Sequence, residues 1–190
     1  MAIALFTFFL AFTENSAARS NNFHLIQEDT TTGFAIYRTS RPSREDMATF
    51  CELGIAEMMV LSGNAEDWEY KHQAACPGLK VVYNQAQKAK IPLTKSFLDF
   101  FDEWIAEAKR TGKKIAFRCN CGCHRTGRLA AYFQLKYQKL TVRDAQVIMK
   151  RYGKGMMFYR FLWPQVVAID AYIKGKECPV AKEYCVQLDK

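Results

Sequence analysis

Apolar residues along this chain recur with two periods, and the changes from one to the other mark its elements. Residues 34–38, 56–61, 79–83 and 114–117 are short apolar runs that read as strands. Elsewhere the period lengthens. Ser43, Arg44, Glu45 and Asp46 form a capping box, which opens a helix with Met47, Phe50 and Cys51 on its apolar face and Gly54 at its end. Residues 67–75 read as a short helix. Phe97, Leu98, Phe101, Trp104, Ile105 and Ala108 then recur at helical spacing through a long amphipathic helix that ends near Gly112. After the last strand come helices at 126–140, from a second capping box at 141–144, and at 163–173. The polar, Thr- and Asn-rich stretch 19–32 reads as an extended lead-in, and Trp104, Trp163 and the aromatic cluster 158–161 as core. Strands alternating with helices, followed by a helical cluster, predict an α/β fold with a central, mostly parallel sheet flanked by helices. Such a sheet presents the residues after its last strand at its C-terminal edge, where open α/β sheets bind ligands.

The opening twelve residues are almost wholly apolar, yet too short to span a bilayer, and small residues including Ser16 and Ala18 follow. Residues 1–18 read as a secretory signal without its basic start, which predicts a secreted or periplasmic protein with no stable membrane anchor. An N-terminal strand or helix of the fold is the alternative, and would leave the protein cytoplasmic. Residues 19–190 make a single domain. The net charge of +8 points to an anionic partner. The basic residues are scattered rather than banked on one helix, which argues against nucleic acid and for a phosphorylated ligand. Of seven cysteines, Cys178 and Cys185 can close a short loop, and Cys51 with Cys76 is conceivable.

The chemistry is concentrated between Arg118 and Gly127, which read Arg-Cys-Asn-Cys-Gly-Cys-His-Arg-Thr-Gly. A loop of this length between a strand and a helix can curl around a phosphate dianion. Its amides point inward, the helix adds its positive end, and Arg125 can fork two hydrogen bonds onto phosphoryl oxygens. The same field is expected to lower the thiol pKa of Cys119, and Thr126 to donate to its sulfur. Gly122 suits positive φ or close approach to a ligand. Cys119, Cys121, Cys123 and His124 also stand as a possible metal cluster, although their spacing fits the usual zinc patterns poorly.

This run resembles the signature loop of the cysteine-dependent phosphatases: the protein tyrosine phosphatases, the dual-specificity phosphatases and the phytase-like inositol phosphatases. Cys119, Gly122, Arg125, Thr126 and Gly127 match that pattern. Arg118 stands where the family has a histidine that helps hold the loop and tune the thiolate. The resemblance covers roughly residues 33–175. It implies a phosphate-binding loop between a central strand and a helix, with Cys119, Arg125 and Thr126 catalytic and Asn120, Cys121, Gly122, Cys123 and His124 around the phosphoryl group. It implies no cofactor and no metal.

The family also uses an Asp about thirty residues before the cysteine as general acid. Residues 70–98 here hold no Asp or Glu, and instead carry Lys71, Lys80, Lys88, Lys90 and Lys95. The proton must come from elsewhere: Asp67, His72 or His124, or the substrate itself if it carries neighbouring phosphate groups. A lysine-rich loop suits a highly anionic substrate, so inositol polyphosphate is the expected class, bound with the help of Lys88, Lys90 and Arg128. His124, Lys154, Arg38 and Arg41 are further basic residues within possible reach. A tyrosine or dual-specificity protein phosphatase acting on phosphoproteins, and a phosphate-binding protein without turnover, remain as alternatives. So does a redox lock between Cys119 and Cys121 or Cys123.

Overall fold

The computed structural model describes residues 22–189, so the expected signal segment lies outside the described residues. In chain order the elements are β1 (His24–Asp29), β2 (Phe34–Thr39), α1 (Arg44–Glu52), β3 (Ile55–Val60), β4 (Lys80–Asn84), α2 (Lys95–Thr111), β5 (Lys114–Arg118), α3 (His124–Lys136), α4 (Val142–Tyr152) and α5 (Leu162–Ile173). The strands form one sheet in the order β1-β2-β5-β3-β4. β5 lies between β2 and β3, parallel to both, and β1 alone runs antiparallel, on the edge.

The period-2 alternation of the strands sorts their residues onto the two faces. Phe34 and Ile36, Met59 and Leu61, Ile115 and Phe117 pack with the apolar stripes of α2, α3, α4 and α5. Ala35 and Tyr37, Met58 and Val60, and Ala116 face the other way, onto Met47 and Phe50 of α1. Burial on both faces explains why these strands read as continuous apolar runs.

The caps expected at Ser43 and Thr141 form, and Thr94 adds one not expected from the sequence. The Asp46 N–H donates to Ser43 Oγ at 3.1 Å and the Ser43 N–H to Asp46 Oδ2 at 2.8 Å. The Phe97 N–H donates to Thr94 Oγ1, and the Asp144 N–H to Thr141 Oγ1. Gly112 ends α2 in the left-handed region, at φ 66°, with the carbonyl of Thr32 where a Cβ would lie.

Two expectations require correction. The stretch 19–32 is not merely a lead-in: it contains β1, joined to β2 by a tight turn in which the Gly33 N–H donates to the carbonyl of Asp29. β1 is a half-exposed edge strand, so it lacks the apolar run that marks the others. The helix expected at 67–75 is broken into a wide turn, Glu66–Tyr70, and a 3-10 turn, Gln73–Ala75. That winding carries Glu69 inward.

Glu69 and Arg118, the last residue of β5, are both fully buried and form an ion pair. Arg118 Nε donates to Glu69 Oε1 at 2.6 Å and Nη2 to Oε2, while Nη1 reaches Ser62 Oγ and Asn64 Oδ1 at 2.8 and 3.0 Å. Arg118 thus occupies the family's histidine position with a buried, ion-paired guanidinium.

At the C-terminal end a disulfide joins Cys178 to Cys185, whereas Cys51 and Cys76 are free thiols. The tail beyond the disulfide lies along the start of α2: the Lys95 N–H donates to the carbonyl of Gln187, and the Ser96 N–H to Asp189. Among the described residues no helix is long and apolar enough to cross a membrane.

Removing one partner of a buried ion pair leaves the other charge uncompensated. Glu69→Ala is expected to lower unfolding free energy by about 3–5 kcal/mol, read from urea unfolding. The exposed pair of Lys95 with Asp99 provides the comparison, and Asp99→Ala should cost at most about 1 kcal/mol. Equal effects would show that the buried pair does not anchor the strand end.

Candidate active site

β5 delivers Cys119 to the C-terminal edge of the sheet, and the chain curls through residues 119–123 before α3 begins at His124, two residues earlier than the sequence suggested. Above the loop lies a cavity of about 770 Å³. Cys119, Asn120, Cys121, His124 and Arg125 line it at the loop, Gln87, Lys88, Ala89 and Lys90 on one side, and Phe158, Tyr159 and Phe161 on the other. The structure therefore brings the two exposed lysines of the 85–92 loop to the same cavity as the nucleophile candidate and Arg125. Lys95 does not join them; it pairs with Asp99.

Gly122 has φ 66°, and a Cβ there would sit 2.7 Å from the carbonyl oxygen of Thr39, so the loop can press against the end of β2 only with glycine at this position. From beneath, the buried Arg38 donates through Nη2 to the carbonyl of Gly122 at 2.5 Å, and its guanidinium lies 4.8 Å from the centre of the Tyr152 ring. The loop also bonds to itself. The Gly122 N–H donates to the Cys119 carbonyl at 3.3 Å and the Cys123 N–H to Cys121 Sγ at 3.2 Å. Asn22 ties the loop to α4 by donating to the carbonyls of Cys121 and Tyr152.

Arg125 is oriented by two main-chain carbonyls: its Nη1 donates to Leu61 at 3.1 Å and to Gln87 at 3.2 Å. His124 stacks on Tyr159 with ring centres 3.4 Å apart. Its Nε2 lies 2.7 Å from the carbonyl of Lys154, which can only accept, so Nε2 carries the proton. Burial holds the His124 pKa below its usual value, against the bond to the Lys154 carbonyl, and the Nε2 proton is already engaged there. Of Asp67, His72 and His124, His124 alone lines the cavity, and among the described residues no carboxylate does.

The expected fall in the Cys119 pKa does not occur in this arrangement. The thiol is pushed up to about 12, first by its contact with Cys121 and then by burial. Thr126 opposes the rise, but its buried hydroxyl completes no hydrogen bond and is available to an ionised sulfur. The thiol brought down is Cys123, to about 6, chiefly by its hydrogen bond with Cys121; burial opposes the shift, and Arg38 favours it. Cys123 is buried beneath the loop and, like Gly122 and Thr126, does not line the cavity. Among the described residues no group of three or more His, Cys, Asp or Glu side chains is placed to hold a metal ion.

Arg128, expected to bind substrate, faces elsewhere. It is buried, and its Nη1 donates to the carbonyls of Ala89 and Ile91 and to Gln165 Oε1, at 3.1, 2.6 and 2.6 Å. Gln165 Nε2 in turn donates to the carbonyls of Ala89 and Lys90. Together they clamp the backbone that carries Lys88 and Lys90, so Arg128 acts on the site through that loop. Sequence reasoning missed Gln165 and Glu69, which carry no local signal. It also assigned the 158–161 aromatics to the core, whereas Phe158 is 78% exposed at the cavity rim.

No protein-family model and no curated protein matches the chain. Solved structures do. TpbA of P. aeruginosa superposes with a TM-score of 0.58 at 16% identity, over 82% of this chain and 98% of TpbA. The core catalytic domain of the PP-IP phosphatase SIW14 from S. cerevisiae gives 0.58 at 22% identity, over 77% and 86% of the two chains. Tk-PTP in its active form gives 0.56 at 16%, over 77% and 96%. The chain shares the α/β fold of these structures.

Because Cys121 is the leading cause of the raised Cys119 pKa, Cys121→Ala is expected to lower it. Below the pKa, each unit of fall raises the thiolate fraction tenfold. Inactivation by iodoacetate at pH 7, with Cys119 as the mapped site, should speed up by about tenfold or more. An unchanged or slower rate would mean that Cys121 does not hold the proton on Cys119.

Proposed function

We propose that this chain hydrolyses phosphate monoesters through a phosphocysteine on Cys119, with inositol polyphosphates as the preferred substrates. The observation that carries this reading is the composition of the cavity: a thiol and an arginine on its floor, two lysines on its rim, and no carboxylate in its walls. The fold shared with phosphatases supports the reaction class.

Cys119 attacks phosphorus in line as the P–O bond to the leaving group breaks. Arg125 and the loop hold the equatorial oxygens through the transition state. A protonated Cys119 brings its own proton into the complex. That proton passes to a phosphoryl oxygen of the substrate as the sulfur ionises, and ends on the leaving alcohol. Cys–SH and a phosphate ester thus give Cys–S–phosphate and an alcohol, and water then returns Cys–SH and inorganic phosphate. A neighbouring phosphate group can relay the proton, which a site without a carboxylic acid requires. Lys88 and Lys90 bind the additional charges through charge-assisted hydrogen bonds.

One observation favours a second reading, a phosphotyrosine phosphatase: Phe158, Tyr159 and Phe161 form an apolar wall suited to an aromatic ring, and an aryl oxide departs with less help from an acid. Export is proposed with either substrate, since disulfides such as Cys178–Cys185 persist in oxidising compartments.

The test is phosphate release from inositol hexakisphosphate and from a phosphotyrosine peptide across pH 4–8. Cys119→Ser should reduce turnover by at least about a thousandfold. Because the transferred proton comes from Cys119, whose pKa is pushed up to about 12, hexakisphosphate hydrolysis should persist above about pH 6, where phosphate groups lose their second proton. A fall through pH 6 would place the transferred proton on the substrate. Lys88→Ala with Lys90→Ala should raise KM for hexakisphosphate about tenfold more than KM for a small aryl phosphate. Turnover of the peptide alone would establish the second reading, and turnover of neither would leave a phosphate-binding protein.

A further inference from the structure

The cavity over Cys119 does not end at the phosphate loop. Beyond Asn120 and Cys121, which line both spaces, a second cavity of about 500 Å³ opens between the segment after β2 and the turn after α4. Its walls include Arg41, Trp68, Asp46 and Lys154. Arg41 is tied to the loop: its N–H donates to the carbonyl of Asn120 at 3.1 Å, so the backbone bearing this guanidinium is one hydrogen bond from the residue after the nucleophile. The guanidinium itself lies 4.6 Å from the centre of the Trp68 ring, a stacking that orients its plane and leaves its N–H edge available. Lys154 is tied to the same loop through its carbonyl, which accepts from His124.

Both side chains are exposed, and neither forms an ion pair with a described carboxylate. Asp46, the carboxylate of the cavity wall, is buried and holds the Ser43 N–H. The cavity therefore presents two cations that form no ion pair among the described residues, carried on backbone that is hydrogen-bonded to the loop of Cys119.

We propose that this second cavity is a subsite for another phosphate group of the same substrate, held by Arg41 and Lys154 while the phosphoryl group to be cleaved lies over Cys119. The proposal rests on the polyphosphate reading and deepens it. Arg41 supplies a planar fork for two phosphate oxygens, and Lys154 a mobile point charge. Lys88 and Lys90 act from the 85–92 loop, so the ring of a polyphosphorylated substrate is gripped on both sides of Asn120 and Cys121. Such a grip sets which phosphate faces the sulfur. A ligand with a single phosphate cannot occupy both positions.

The experiment is calorimetric titration of the Cys119→Ser protein with inositol hexakisphosphate and with inorganic phosphate, alone and with Arg41→Ala and Lys154→Ala added. Arg143→Ala with Lys176→Ala, both exposed and outside either cavity, removes the same charge as a control. Circular dichroism verifies that each variant is folded. The subsite variant should lose about tenfold or more in hexakisphosphate affinity beyond the control, with inorganic phosphate affinity moving by about threefold at most. An equal loss in the control would assign the effect to general attraction, and an equal loss for inorganic phosphate to damage at the loop; either overturns the subsite. Turnover by the wild-type protein is scored separately. Subsite-dependent binding without turnover removes the catalytic reading and leaves the subsite standing, whereas no hexakisphosphate binding by Cys119→Ser overturns both.

Discussion

The geometry of this site depends on a guanidinium that water does not reach. Arg118 ends the central strand, and Glu69 reaches it only because the segment after β3 winds as it does. The pair joins the connection between β3 and β4 to the end of β5, one residue before Cys119. Two further buried arginines extend the same construction. Arg38 holds the Gly122 carbonyl, and Arg128 holds the loop that carries Lys88 and Lys90. Burial lowers their pKa values to about 10 and about 9, so both remain charged near neutrality. Unlike Arg118, neither meets a carboxylate, and each leaves a buried Nε without a partner. Positive charge is thus built in around the cavity by side chains that face backbone carbonyls rather than carboxylates.

Much of this was legible in the sequence, for reasons that are local. The α2 stripe, the capping boxes and the apolar strands follow from spacing alone, and the loop from a motif whose residues are contiguous. What was not legible depends on contacts across the chain. Glu69 lies 49 positions from Arg118, and nothing near either residue announces the pairing. Arg128 shares the helix of the loop arginine and carries the right charge for a phosphate, yet its side chain points to carbonyls brought in from the 85–92 segment. Phe158 looks like core by composition but lies in a connection between helices. β1 was missed because an exposed edge strand need not be apolar.

The thiols illustrate the same limit at shorter range. A cysteine at a helix N-terminus beside an arginine should ionise readily, and that rule holds for an isolated sulfur. Cys121 and Cys123 change the outcome, because contact with a second thiol and burial raise the pKa of Cys119 while the bond to Cys121 lowers that of Cys123. The two thiols are thus pushed in opposite directions by the sulfur between them. In the proposed reaction such a site admits an anionic substrate without the repulsion of an ionised Cys119, and the thiol proton takes the place of a carboxylic acid.

The clamp formed by Arg128 and Gln165 grips the 85–92 loop at the carbonyls of Ala89, Lys90 and Ile91. Every residue type carries such a carbonyl, so the path of the loop is indifferent to the side chains displayed along it. Positions 88 and 90 can therefore drift under selection, or be redesigned, with little consequence for folding. The scaffold separates the choice of side chains at the cavity rim from the integrity of the fold.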